Sequence, residues 1–162
     1  DKKHLSTIAV NLNSIFEDRF IDYRVASHPN RIQIDHGLYK KFDNKLILPS
    51  NILNQKIVNN LKKQKNLIFI YNFKLSNNNR IIVKKNEATL PNFLVLGYAL
   101  SIAVSKNAKN IFLAGFEGFK KDNYANDESK NTLEIFKKRF KKINIRSITP
   151  TKYNLEYKKI DE

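Results

Sequence analysis

The chain has 162 residues, enough for one domain that buries most of its apolar surface. Hydrophobic residues at 41% and aromatics at 11% exclude a wholly disordered chain, and the lack of cysteine excludes disulfides and thiolate metal sites. The net charge of +15 makes nucleic acid or an anionic membrane surface the first partners to weigh. Lys is accompanied by abundant Asn and Ile throughout, however, as in a general drift of residue usage. The aromatics sit mostly in apolar runs, where core packing explains them, and are not interleaved with Arg as stacking platforms would be, so nucleic acid is not the expected ligand. No apolar run approaches the length of a membrane span. Asp1, Lys2, Lys3 and His4 lack a signal peptide's apolar core, so the expected location is cytoplasmic.

In chain order, the β-branched run Leu5 to Val10 reads as a buried strand ending at Asn11, and Phe20 to Ala26 as a half-covered one. Pro29 restricts His28 to extended conformations in a polar break. Arg31 to Ile34 then reads as a short strand, with Asp35 capping a helical turn that runs to Phe42. Leu46 to Leu48 is a strand stopped by Pro49, and Ser50 caps a helix to about Lys63. Leu67 to Tyr71 has the composition of a central strand. Asn77 to Asn79 form a turn, and Arg80 to Val83 lead out as a brief strand.

Thr89, Leu90 and Pro91 open a helix that is apolar nearly all round from Phe93 to Val104, with Gly97 marking close packing against a neighbour. Ile111 to Ala114 is a strand, a helix starts at Asp127 or Ser129 and runs through Phe140, and Ile143 to Ile148 closes the sheet. Strands alternating with helices define an α/β domain over 1–151, with a mainly parallel, Rossmann-like sheet and helices on both faces. Residues 152–162 read as a loosely attached tail.

The segment from Asn110 to Tyr124 draws attention because a short apolar strand ends abruptly in Gly115, Glu117 and Gly118. Open α/β sheets build ligand crevices outside the carboxyl ends of such strands. Glu117, Asp122, Asp127 and Glu128 form an acidic group that suits a sugar hydroxyl, a ribose or a hydrated cation, or else the dipole of the next helix. The spacing of His4, His28 and His36 is not a metal signature, so no metal is expected. His28 and Arg31 suit an anionic group, with pairing of Arg31 to Asp35 as the structural alternative. There is no Gly-rich phosphate loop, nucleophile elbow or kinase signature.

Three stretches together resemble a known module: Tyr23 to Arg31 (YRVASHPNR), Leu113 to Phe119 (LAGFEGF) and Ile148 to Tyr153 (ITPTKY). They are similar to the C-terminal domain fused to bacterial aldolases of the HMG-CoA lyase and 4-hydroxy-2-oxovalerate aldolase type. That resemblance implies an aldolase TIM barrel in cis, in surface-polysaccharide biosynthesis. More distantly, they resemble the bacterial sialyltransferases that use CMP-activated sugar, and related motility-accessory proteins.

That second likeness implies a first strand that would lie ahead of Asp1, so the described fold is expected to lack its first strand. It also implies a site for CMP or a CMP-activated sugar and no other cofactor. Asn11, Glu117 and Asn126 would hold base or ribose, Thr89 would lie at the nucleotide turn, and Gly115 and Gly118 would shape the loop. Tyr124 with His28 or Arg31 would meet phosphate or carboxylate. The family's general-base histidine is replaced here by Tyr124, Asn126 and Glu128. Glu128 and Tyr124 are therefore the candidate catalytic groups, and binding is expected over catalysis. An active glycosyltransferase and a non-catalytic scaffold docking the barrel are the alternatives.

Overall fold

A computed structural model describes residues 5–12, 17–64, 68–119 and 123–159. Three short parallel strands open it, β1 (Ile8–Val10), β2 (Tyr23–Val25) and β3 (Lys45–Leu48), and β4 (Ile68–Ile70) follows β3 in the same sheet, in the order β1-β2-β3-β4. Successive strand residues point to opposite faces. Val10, Val25 and Ile47 therefore share one face and join the larger core, while Leu46 and Leu48 look the other way into a second cluster with Ile32, Ile57 and Leu61. Those last three sit on α1 (Pro29–Asp35) and α2 (Gln55–Gln64).

A second sheet has the order β5-β7-β6, with β5 (Asn72–Leu75) parallel and β6 (Ile82–Val83) antiparallel to β7 (Glu87–Leu90). From it the chain enters α3 (Val95–Ser105), which packs against β1, β2, β6 and β7. The third sheet, β10-β9-β8, is parallel throughout, with β8 (Asn110–Leu113), β9 (Asn144–Ser147) and β10 (Glu156–Tyr157). Ile111, Leu113 and Ile145 face the same core as α3, together with Leu133 and Phe136 of α4 (Tyr124–Arg139). On the opposite face of this sheet Arg146 pairs with Glu156 at 2.9 Å. The architecture is a Rossmann-like α/β fold with parallel sheets flanked by helices. Gly97 lies on the α3–α4 contact, where a Cβ would meet Thr132 Cγ2 at 3.1 Å.

Several boundaries differ from those read in the sequence. Residues 31–34 are helical, inside α1: Pro29 stands in its first turn with a preset φ, and Ile32 N–H donates to the carbonyl of extended His28 at 3.0 Å. Asp35 ends that helix instead of capping a new one, and a separate 3-10 turn covers Tyr39–Lys41. Ser50 begins only a 3-10 turn (Ser50–Ile52). The start of α2 is organised by Asn54, whose side chain accepts from Lys56 N–H at 2.8 Å. β4 closes one edge of its sheet rather than occupying the centre, which leaves Phe69 45% exposed.

Thr89 and Leu90 do not open α3. They complete β7, where Thr89 stands in register with Lys74 and Ile82, as suits a β-branched residue. The turn into α3 is made by Asn92, whose Oδ1 accepts from Leu94 N–H at 3.2 Å. Helix α4 starts earlier than expected, because Asn123 caps it by accepting from Ala125 N–H at 2.9 Å. Leu67 and Asp122 fall outside the described residues. Residues 153–157, read as part of a loose tail, hold a buried Tyr153 and strand β10, and the Lys137 ammonium donates to the Asn154 carbonyl at 2.8 Å.

Candidate functional site

β8 delivers the chain at its carboxyl end into a loop jointed by two glycines. Gly115 (φ 72°) and Gly118 (φ 102°) both occupy backbone conformations that disfavour side chains. At Gly118 there is a second reason: a Cβ would lie 3.1 Å from Lys152 Cδ and 3.4 Å from Asn126 Oδ1. The loop is held from three directions. Gly115 N–H donates to Thr149 Oγ1 at 3.0 Å, and the Thr151 hydroxyl donates to the Phe116 carbonyl at 2.7 Å. Lys152 N–H donates to the Glu117 carbonyl at 3.2 Å, and Lys152 Nζ donates to the Phe119 carbonyl at 3.2 Å. Asn126, one turn into α4, accepts from Phe119 N–H at 2.7 Å.

These contacts shape a broad open cleft of about 740 Å³, lined by Phe119, Tyr124, Asn126, Asp127, Lys130 and Lys152 among others. Its volume falls in the range of small-molecule sites. Among the described residues two lining ammonium groups, Lys130 and Lys152, and the positive end of the α4 dipole meet one lining carboxylate, Asp127, so the balance favours an anionic ligand. Tyr124 is 77% exposed at the mouth, with its phenol and ring available to a ligand. A smaller cavity of about 330 Å³ lies on the other flank of the first turn of α4, lined by Asn79, Pro91, Asn92, Asp127, Glu128 and Asn131.

The expected ligand contacts are only partly assembled. Tyr124 and Asn126 line the larger cleft, and Gly118 shapes its wall. Asn126 is engaged with Phe119, so it organises the loop in addition to any contact with base or ribose. Glu128 faces the smaller cavity, so the two candidate catalytic groups, Glu128 and Tyr124, do not converge on one point. Asn11, in a left-handed conformation (φ 55°), ends β1, with its N–H donating to the Val25 carbonyl at 2.8 Å. His28 caps α1, its ring tilted against Phe93 at 5.7 Å, and Arg31 pairs with Asp35 at 3.1 Å. Asn11, His28, Arg31, Gly115 and Glu117 line neither of these two cavities, and Thr89 lies within β7.

Lys130 is not singled out by the sequence, and Lys152 and Tyr153 appear there only as letters in a resembling stretch and as the start of a loosely attached tail. The available signal was Gly118, whose need for a bare Cα implied that another segment crosses there. Among the described residues no three His, Asp or Glu side chains gather as a metal site would require. Comparison with protein-family models, with curated proteins and with solved structures returns no significant match. The class defined by fold and cleft is thus a Rossmann-like α/β domain with an anion-suited crevice at the carboxyl end of a parallel strand.

Proposed function

We propose that this domain binds a nucleotide or nucleotide-activated acidic sugar in the cleft at the start of α4, as a cytoplasmic accessory to an aldolase barrel in cis. The observation that carries the ligand part is the placing of Lys130 and Lys152 beside the first turn of α4, beyond the carboxyl end of β8. Carboxyl ends of parallel strands are where α/β sheets take ligands, and helix starts favour phosphate. In this reading the two ammonium groups neutralise phosphate or carboxylate, the Tyr124 phenol donates to the same oxygens, and the exposed Phe119 and Tyr124 rings offer apolar surface to a base. The attachment to a barrel rests on the resembling stretches alone.

Calorimetry with CMP and a CMP-activated sialic-type sugar tests the ligand. Saturable heat is expected, weakened about tenfold or more in Lys130→Ala/Lys152→Ala, because each removes a charge-assisted contact. No heat at millimolar ligand removes the proposal. Binding is favoured over glycosyl transfer because Glu128 opens on the other cavity, so Glu128→Gln leaves the affinity unchanged. Co-purification of the domain with an aldolase barrel tests the association separately.

A further inference from the structure

The end of the molecule opposite the cleft carries a different chemistry. α3 is followed by Lys106, Lys109 leads into β8, α4 ends in Lys137, Lys138 and Arg139, and the turn into β9 adds Lys141 and Lys142; all seven are exposed. Backbone bonds gather these segments at the amino ends of β8 and β9. Asn144 N–H donates to the Lys109 carbonyl at 2.9 Å, and Ile143 N–H to the Phe140 carbonyl at 2.8 Å. Among the described residues none of the seven forms an ion pair, and neither does Glu134, the acid one turn back on α4. Lys137 donates to a carbonyl only.

Cations in the last turn of a helix complement its dipole, which accounts for Lys137, Lys138 and Arg139. It does not account for Lys109, Lys141 and Lys142, which lie in connecting segments where they repel one another and the helix end. Like charge collected with no ion-paired acid among the described residues is a surface suited to a polyanion. Among the described residues the ring in these connecting segments, Phe140, packs on Phe136 at 5.5 Å and has the Arg139 guanidinium 6.0 Å from its centre, so it is not free to stack a base as single-stranded nucleic acid requires. It is formed by helix ends and a turn, and so presents points of charge to a flat counter-surface.

We propose that this end docks on an anionic membrane surface. Clusters of four to eight Lys and Arg at a helix end have the character that acidic lipids attract. The 16 residues of α4 run from the cleft to the cations, which places the cleft about 24 Å from the lipid, open to solvent.

Sedimentation with phosphatidylcholine vesicles holding about 30 mol % phosphatidylserine tests this. Retention is expected on the anionic vesicles only, and to fall away when salt is raised from about 0.1 M to about 0.5 M. Lys138→Glu/Lys141→Glu/Lys142→Glu should weaken it by about tenfold or more. A variant with the same charge change elsewhere, Lys56→Glu/Arg80→Glu/Lys158→Glu, should weaken it less than about threefold: these side chains are exposed, Lys56 stands in the first turn of α2, Arg80 N–H meets Ser76 Oγ beyond β5, and Lys158 N–H meets the Ser147 carbonyl at the carboxyl end of β9. If the first variant fails to fold by its thermal midpoint, the Gln triple at the same three positions replaces it, with the same direction expected. Equal loss in the two sets, which would mean net charge alone, overturns the proposal. So does tighter retention on duplex DNA than on vesicles at equal phosphate, or no retention at all.

Discussion

Asn126 grips Phe119 across both sides of its backbone: Oδ1 accepts from the Phe119 N–H at 2.7 Å, and Nδ2 donates to the Phe119 carbonyl at 3.3 Å. A side-chain amide carries a separate acceptor and donor on one carbon, whereas a carboxylate only accepts and an ammonium only donates. The pairing fixes the far end of the glycine loop to the first turn of α4 and so sets one wall of the cleft. Asn126→Leu should lower stability by about 1–2 kcal/mol, two partly exposed hydrogen bonds at about 1 kcal/mol or less each. Asn126→Asp should cost less, because the 2.7 Å acceptor survives. Thermal melts check this, with about 2–4 °C expected per kcal/mol for a chain of this size. Equal losses for Leu and Asp would mean that the loop is held by the Thr149, Thr151 and Lys152 contacts instead.

Thr132 is fully buried against Gly97, and its hydroxyl has no hydrogen-bond partner among the described residues. Burying a hydroxyl without a partner costs about 1–3 kcal/mol, and valine has nearly the same shape without that cost. Thr132→Val should therefore raise stability by about 1 kcal/mol, even though β-branched exchanges of this kind usually cost. Urea unfolding measures it; a lower midpoint at unchanged slope would show that the hydroxyl is satisfied in solution.

How much of this could be read from the chain depends on how local the cause is. Strand runs such as Leu46 to Leu48 and Ile111 to Ala114 are legible to within a residue because β-branched and apolar side chains in short runs bounded by turn residues carry their own signal. So is Gly97, since a glycine inside an apolar helix needs a neighbour to explain it. Thr89 misled because Thr before Pro reads as a helix start, and only its pairing with Lys74 and Ile82, set by distant strands, makes it a strand residue. Helix α1 was hidden by two apolar positions, Ile32 and Ile34, that satisfy an alternating pattern equally well. At the cleft the glycines, Tyr124 and Asn126 were visible as local chemistry. Lys130 and Lys152 were not: in a chain with 30 cations no single Lys stands out, and Lys152 reaches Glu117 and Phe119 from more than 30 residues away.

Three tyrosines should report on alkaline unfolding. Burial pushes the Tyr71 and Tyr39 phenols up to about 12, with Glu87 and Asp35 respectively adding to the rise, and it raises Tyr98 well above 10. Tyr98 donates to the Tyr71 carbonyl, and Tyr71 donates to the Lys84 and Glu87 carbonyls at 3.1 Å, so two of the three phenols are spent as donors. A folded pKa raised above the unfolded value means that the native state holds the proton more tightly. The stabilisation is complete below pH 10, and it is lost as pH rises through about 12. Absorbance at the tyrosinate band should show these groups ionising together with loss of helical circular dichroism. Ionisation of Tyr71→Phe with one group fewer in that coupled step assigns it. Smooth titration of all seven tyrosines ahead of unfolding would contradict it.

The most exacting requirement for one residue type lies at Arg24, the largest fully buried side chain. Its Nη1 donates to the Asn11 carbonyl at 2.9 Å, its Nε to Asn44 Oδ1 at 3.2 Å, and its Nη2 meets Asp18 Oδ1 at 3.2 Å. The guanidinium carbon also lies 3.7 Å from the centre of the Phe42 ring. Three acceptors in different directions and a flat aromatic face match a planar fork with five donors, and a lysine can supply neither the fork nor the plane. Arg24→Lys should cost about 2–4 kcal/mol, because the charge is kept but the fork's hydrogen bonds to Asn11 and Asn44 cannot both be remade and each buried group left unpaired costs about 1–3 kcal/mol. Asp18→Asn should cost about 1 kcal/mol, because Asp18 is partly open to water and an amide can still accept from Arg24. Arg24 also fixes the left-handed turn at Asn11, so Arg24→Lys should open the chain at Asn11 and Leu12 to proteolysis before the rest of the chain unfolds. Limited proteolysis with urea melts decides the matter: if Asp18→Asn is as damaging as Arg24→Lys, then charge pairing, and not the geometry of the fork, holds this corner of the sheet.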